Sequence, residues 1–211
     1  MIALFAALLA ATAIHSGNVN ALVDHVLDAY GGAAAWSNVY VLRESGTVVP
    51  AMASGNGSMT RTWKRPDSLR VEIVYPSRTE TRTVEGDRGT HDGKAAGAME
   101  LDAMRLQAAR LALPYLLVER RTSVRDLGLQ NGRHRLEVPL GGSLSLIVEI
   151  DPGSGRIVHS VSKANGIEFS TDYSEFRMQD SLLFAFREEN SAQGTPTGTN
   201  ELRRIEVNPL K

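Results

Sequence analysis

The chain has 211 residues, with 23 Lys and Arg against 24 Asp and Glu and a formal net charge of -1. That length suits one larger domain or two small ones, and it buries a core without covalent staples. With no cysteine there is no disulfide framework, thiolate nucleophile, Cys-based zinc site or acylated N-terminal cysteine. The near-neutral balance excludes an overall electrostatic pull towards nucleic acid or anionic membrane.

Residues 1–14 read MIALFAALLAATAI, with Thr12 the one polar side chain and Asp24 the first charge of the chain. The apolar run of about 13 residues falls short of the roughly 20 that a membrane span needs. It matches the apolar region of a secretory signal, and Ala11-Thr12-Ala13 has the small-x-small pattern of a cleavage site. The expectation is a leader over 1–16, cut after Ala13 or Ser16, followed by a single domain over 17–211. No Lys or Arg precedes the run, as it would in an ordinary signal. A buried N-terminal helix is the competing reading.

Leu22, Val23, Val26, Leu27 and Tyr30 recur at helical spacing. Asn18 or Asn20 is placed to cap that helix, and Gly31-Gly32 to end it. From residue 39 the period becomes two. Strands are predicted over 39–49, 57–65, 69–75 and 79–85, with Leu69, Val71, Ile73 and Tyr75 on one face of the third. Helical periodicity returns over 98–121, where Leu101, Met104, Ala108, Leu111 and Tyr115 form a stripe with Asp102, Arg105 and Arg110 away from it. Pro114 predicts two helical pieces meeting there. A plain packing helix and a lid over an open sheet show the same stripe. Strands follow over 124–130, 133–140, 144–151, 156–163, 167–173, 182–190 and 200–208. Turns such as Asn131-Gly132, Gly141-Gly142 and Asn165-Gly166 separate them. Ten or eleven antiparallel strands with two helical regions make a mainly β fold.

No chemical motif is complete. The five histidines show no i, i+4 pair, and Ser145 stands where the last glycine of a nucleophile elbow belongs. Gly86, Gly89 and Gly93-Lys94 have the wrong spacing for a phosphate loop. Most carboxylates fall on expected solvent faces. Arg61, Lys64 and Arg65 read as an exposed strand face from which Trp63 turns inward. The sequence thus predicts a protein that is not an enzyme, with no catalytic residue, metal or cofactor and no nucleic-acid partner.

The run from Lys64-Arg65-Pro66 through Leu69-Arg70-Val71-Glu72-Ile73 to Tyr75-Pro76 resembles the signature of the LolA-type periplasmic lipoprotein carriers. Val84-Glu85-Gly86 is similar to that family's V-x-D-G turn, with Glu85 in place of Asp. Pro114-Tyr115-Leu116-Leu117 resembles its helical P-x-x-L segment, and Val148-Glu149-Ile150-Asp151 with Gly155 resembles a later hairpin. These motifs occur in the family's order from about residue 20 onward.

The resemblance implies an incomplete antiparallel β-barrel with helices over its open face and an apolar cavity for acyl chains between them. The expected cavity residues are Trp63, Leu69, Val71, Ile73, Leu101, Met104, Leu111, Leu146 and Val148. In the family an arginine matching Arg65 hydrogen-bonds to the lid and favours its closed state. That role passes to Arg65 here, with a surface strand-end arginine as the alternative. The family's aromatic-rich strand is replaced by Leu69, Val71 and Ile73, so a smoother, more aliphatic cavity is expected. The implied cargo is an acylated lipoprotein or another lipid. The implied partners are an inner-membrane release complex and an outer-membrane acceptor, met by a periplasmic monomer. Proteins of this fold also act as periplasmic sensors that bind a membrane-protein partner, and the sequence leaves that alternative open.

Overall fold

The computed structural model describes residues 19–209. The leader predicted over 1–16 and the Asn18 cap lie outside the described residues. Two helices come first, α1 (Val19–Ala29) and α2 (Ala33–Ser37). Gly31, at φ 102°, ends α1. A side chain there would strike the Ser181 carbonyl at 2.3 Å, so only glycine lets α1 seat against the end of the sheet.

The N-terminal meander is β1 (Val41–Pro50), β2 (Gly57–Lys64), β3 (Ser68–Val74), β4 (Thr79–Glu85), β5 (Arg88–His91) and β6 (Lys94–Ala95). Helices α3 (Ala98–Leu111) and α4 (Leu113–Glu119) follow. The second meander is β7 (Arg125–Gln130), β8 (Arg133–Gly141), β9 (Leu144–Ile150), β10 (Ile157–Ala164), β11 (Ile167–Gln179), β12 (Leu182–Ala192) and β13 (Thr195–Val207). Among the described residues all 13 strands lie in one sheet of order β6-β5-β4-β3-β2-β1-β13-β12-β11-β10-β9-β8-β7. Every pairing is antiparallel, and β1–β13 zips the two meanders together. The predicted half-barrel is the fold observed.

This order explains the lid. The sheet's free edges are β6 and β7, and the segment joining them carries α3 and α4, so the chain must cross from one edge to the other. Helix α3 packs on β3, β4 and β5 and also on β9 and β10. β3 and β10 stand six strand spacings apart, about 29 Å along a flat sheet. A helix of α3's length reaches only about 21 Å. The sheet therefore curls around the helix. Bulges supply the bend. One lies at Ser45/Gly46, where a Cβ on Gly46 would sit 2.2 Å from the Glu201 carbonyl.

The strand count exceeds the predicted ten or eleven by β5 and β6, two short pieces without an apolar run. The helix break falls at Ala112, and Pro114 occupies the first turn of α4, where its missing N–H costs nothing. Inward faces follow the predicted alternation. Met59, Trp63, Leu69, Val71, Ile73, Leu136, Leu146, Val148 and Ile150 are buried with Met104, Leu106, Leu111 and Leu117 of the helices. Trp36 seals one end, its ring 5.5 Å from Phe184 and its Nε1 donating to the Tyr30 carbonyl at 2.9 Å.

Candidate functional site

Most of the nine expected cavity residues meet in the core. Trp63, Leu69, Val71, Met104, Leu146 and Val148 are almost fully buried, Ile73 and Leu111 nearly so, and Leu101 is half-buried. They line separate spaces. Trp63 borders a narrow cleft of about 50 Å³ with Ala108, Ala109 and Leu116, and Leu111 another of about 40 Å³. Met104 borders a space of about 160 Å³ with His91 and Glu100. Ile73 alone of the set reaches a cavity of about 310 Å³ between α3 and the curled sheet. Leu69, Val71, Leu146 and Val148 pack as core beneath these spaces.

The 310 Å³ cavity is not the smooth aliphatic slot that was expected. Val48, Met59, Ile73, Tyr75 and Phe169 give it apolar surface, while Arg61, Arg82, Gln107, Arg110, Glu188 and Asn190 give it polar surface. Its floor is a buried ionic network. Arg61, 2% exposed, points inward between Met59 and Trp63, which corrects its reading as a solvent-face residue. Its Nε donates to Glu44 at 2.8 Å, and its Nη1 and Nη2 donate to the two Glu188 carboxylate oxygens at 2.7 and 2.9 Å. Asn200 Nδ2 donates to Glu188 at 2.8 Å. Three adjoining strands, β1, β13 and β12, thus point polar side chains at the Arg61 fork on β2. Glu44 and Glu188 are likewise exceptions to carboxylates on solvent faces.

Burial pushes the Glu44 carboxyl up to about 7, because the single guanidinium beside it is shared with a second carboxylate. Burial opposes ionisation of Glu188 too, but its two-pronged bond to Arg61 and the Asn200 amide hold it below the ordinary carboxylate range. A raised carboxyl binds its proton more tightly in the folded state. Its contribution to stability is therefore complete below about pH 4.5 and is lost as pH rises to about 7, a change of roughly 3 kcal/mol. The Glu188 contribution runs the other way and disappears only on acidification below the ordinary carboxylate range. The expected result is a melting temperature that falls between about pH 5 and 7, with the slope removed in Glu44→Gln. A wild-type profile flat over that interval contradicts the assignment.

Arg65 lies at the end of β2 against the helices. Its Nη2 donates to the Ser37 carbonyl at 2.9 Å and to that of Trp36 at 3.4 Å, at the C-terminus of α2. The guanidinium also lies 4.5 Å from the Tyr40 ring centre and 4.3 Å from that of Tyr115 on α4. Tyr115 itself packs on Trp63 with ring centres 5.2 Å apart. Arg65 so bridges sheet, α2 and α4. Arg65→Leu keeps the stem and removes the fork and the stacking, worth about 2 kcal/mol for this partly exposed group. The expected outcome is an intact fold with raised binding of a hydrophobic dye. Dye binding equal to wild type makes Arg65 a passive surface residue.

Sequence reasoning missed the role of Arg110, set on the polar side of α3. It reaches under the helix, its Nε donating to Ser160 Oγ at 3.3 Å and its Nη2 to the Phe169 carbonyl at 3.0 Å. Ser160 in turn bonds the Tyr173 hydroxyl at 2.8 Å, and burial pushes that phenol up to about 12. The signal was legible only as a spacing. Arg110 lies two positions from Ala108 and one from Leu111, at the margin of the apolar stripe.

No protein-family model matches the chain, and no curated protein matches it in sequence. Solved structures do match it in shape. A LolA-superfamily protein from Nitrosomonas europaea superposes with a TM-score of 0.59 at 8% identity, over 92% of this chain and 94% of that one. A domain described as an outer membrane lipoprotein-sorting protein, from Vibrio parahaemolyticus, superposes with a TM-score of 0.54 at 11% identity, over 90% of this chain and 92% of that one. Identities this low speak to fold alone. With its curled open sheet, its edge-to-edge helical crossing and these two neighbours, the chain has a LolA-type fold.

Proposed function

We propose that the protein is a non-catalytic carrier of acyl-chain-bearing molecules, lipoproteins or related lipids, held between the concave sheet and the α3–α4 lid. The observation that carries this reading is the space of about 310 Å³ beneath α3, partly open to solvent, with hydrocarbon from β1, β2, β3 and β11 on its walls. Each methylene moved from water into such a space contributes about 0.8 kcal/mol, so an acyl chain is retained without any reacting group. At about 310 Å³ the space lies at the lower end of the range of small-ligand pockets. Larger cargo requires α3 and α4 to lift from the sheet. The fold neighbours, one described as a lipoprotein-sorting domain, support the same reading. Among the described residues no helix is long and apolar enough to cross a membrane. The leader read over 1–16 supports export to the periplasm, where a shuttle would work as a monomer between an inner-membrane donor and an outer-membrane acceptor.

Native mass spectrometry of protein purified from its own host tests the reading. Co-purifying acylated protein or lipid, released on mild unfolding, is the expected result. Protein that is empty, and that takes up no lipid from detergent micelles, overturns it.

A further inference from the structure

The charged groups around the cavity under α3 are not equally satisfied. Arg61 has committed all three guanidinium nitrogens to Glu44 and Glu188, and Arg82 is paired with Glu80. Arg110 has no such partner. Among the described residues no carboxylate lies within ion-pair distance of it, and its Nη1 makes no hydrogen bond. Gln107, one turn earlier on α3, makes no side-chain hydrogen bond either. Asn190 accepts from Thr171 through Oδ1 at 2.9 Å, which leaves its amide N–H groups unused. These three residues line the same cavity as Met59, Ile73 and Phe169.

Unused donors gathered around a cation are matched by an oxyanion. Burial also weakens the hold of Arg110 on its proton, and the Tyr173 hydroxyl and the Glu188 carboxylate nearby offset this only in part. Hydrocarbon on the same walls means that the anion arrives with a chain attached. A space at the lower end of the range of small-ligand pockets suits one short chain and its head.

We infer that this cavity is a head-group subsite in which a carboxylate or phosphate on a single-chain amphiphile binds Arg110, Gln107 and the Asn190 amide. The inference rests on the carrier reading and adds to it the class of ligand. Arg110 sits on the lid and its other bonds reach β10 and β11, so an anion bound there ties lid, ligand and sheet together. A neutral alcohol of the same length gains the apolar wall and an ordinary hydrogen bond, without the charge-assisted contact.

Isothermal titration of the full chain with decanoate, decyl phosphate and 1-decanol tests this. Wild type should bind at least one of the two anions roughly tenfold or more tightly than the alcohol. The better anion identifies the source, a fatty acid if decanoate and a phosphate-headed lipid if decyl phosphate. Arg110→Gln should bring that anion down to the level of decanol and leave decanol unchanged, whereas Arg110→Lys retains part of the preference. Gln107→Ala, which leaves every bond of Arg110 in place, should weaken anion binding a few-fold and decanol not at all, so the subsite stays testable if Arg110→Gln does not fold. Equal binding of all three ligands by wild type, or an anion preference untouched in these variants, overturns the subsite and leaves the carrier reading standing. If wild type binds none of the three, the carrier reading and the subsite both fall.

Discussion

Replacing Arg61 with methionine should lower the melting temperature by roughly 10 °C or more. The substitution leaves Glu44 and Glu188, 3% and 7% exposed, without the guanidinium that both share. Removing one partner of a buried ion pair costs about 3–5 kcal/mol, because the remaining charge is stranded away from water. In a chain of this size each kcal/mol moves the melting temperature by about 2–4 °C. The cost belongs to the stranded carboxylates and not to a net strength of the network. A triple variant, Arg61→Met with Glu44→Leu and Glu188→Leu, should therefore recover most of the loss. Thermal melts followed by circular dichroism decide it. A single variant melting within about 2 °C of wild type would mean that water reaches the network freely.

Trp63→Ala carries the second large effect. The indole is 1% exposed, its ring leans on Tyr115, and the cleft beside it is walled by Ala108, Ala109 and Leu116 of the lid helices. Truncating a buried tryptophan costs about 3–5 kcal/mol, since small neighbours such as these alanines cannot collapse into the space. Here the loss falls on the contact between β2 and α4. Hydrogen exchange should accelerate in α4 more than in β8 and β9, which lie across the sheet. Uniform acceleration throughout the chain would place Trp63 in the general core and not at a lid hinge.

These expectations also show which parts of the molecule were legible in the sequence. Leu69, Val71 and Ile73 alternate cleanly, and Gly31-Gly32 ends a helix for steric reasons that any reader of the chain can apply. The helical piece between two runs of strands did not by itself separate a packing helix from a cover for an open sheet, and the lid came from the resemblance. β5 and β6 were not legible. Arg88–His91 and Lys94–Ala95 offer no apolar alternation, and they exist because β5 pairs with the β4 edge and β6 with β5. β13 starts at Thr195, five residues before its predicted start, through a run containing Pro196 and Gly198 that argued against a strand.

The ionic floor was missed for a different reason. Arg61 lies at i+2 from Met59 and i−2 from Trp63, so strict alternation already places all three on one face. The prior that charges face water overrode the period. Glu44 and Glu188 gave the same misleading signal from β1 and β12, about 140 residues apart in sequence. Only sheet order brings them together, and sheet order depends on β13 returning to pair with β1 between the two meanders. The cavity's mixed chemistry is a property of topology, which local pattern does not carry.

Photo-crosslinking with a diazirine-bearing fatty acid, followed by peptide mapping, shows where on the protein an acyl chain is held. Adducts are expected on residues that line the space under α3, such as Met59, Ile73, Gln107 and Phe169, competed away by unlabelled fatty acid. The outer face of the same strands, marked by Arg43, Thr60, Thr62 and Arg70, should remain unlabelled. Adducts confined to that outer face, or labelling that unlabelled fatty acid does not displace, would contradict a carrier that holds its cargo between sheet and lid.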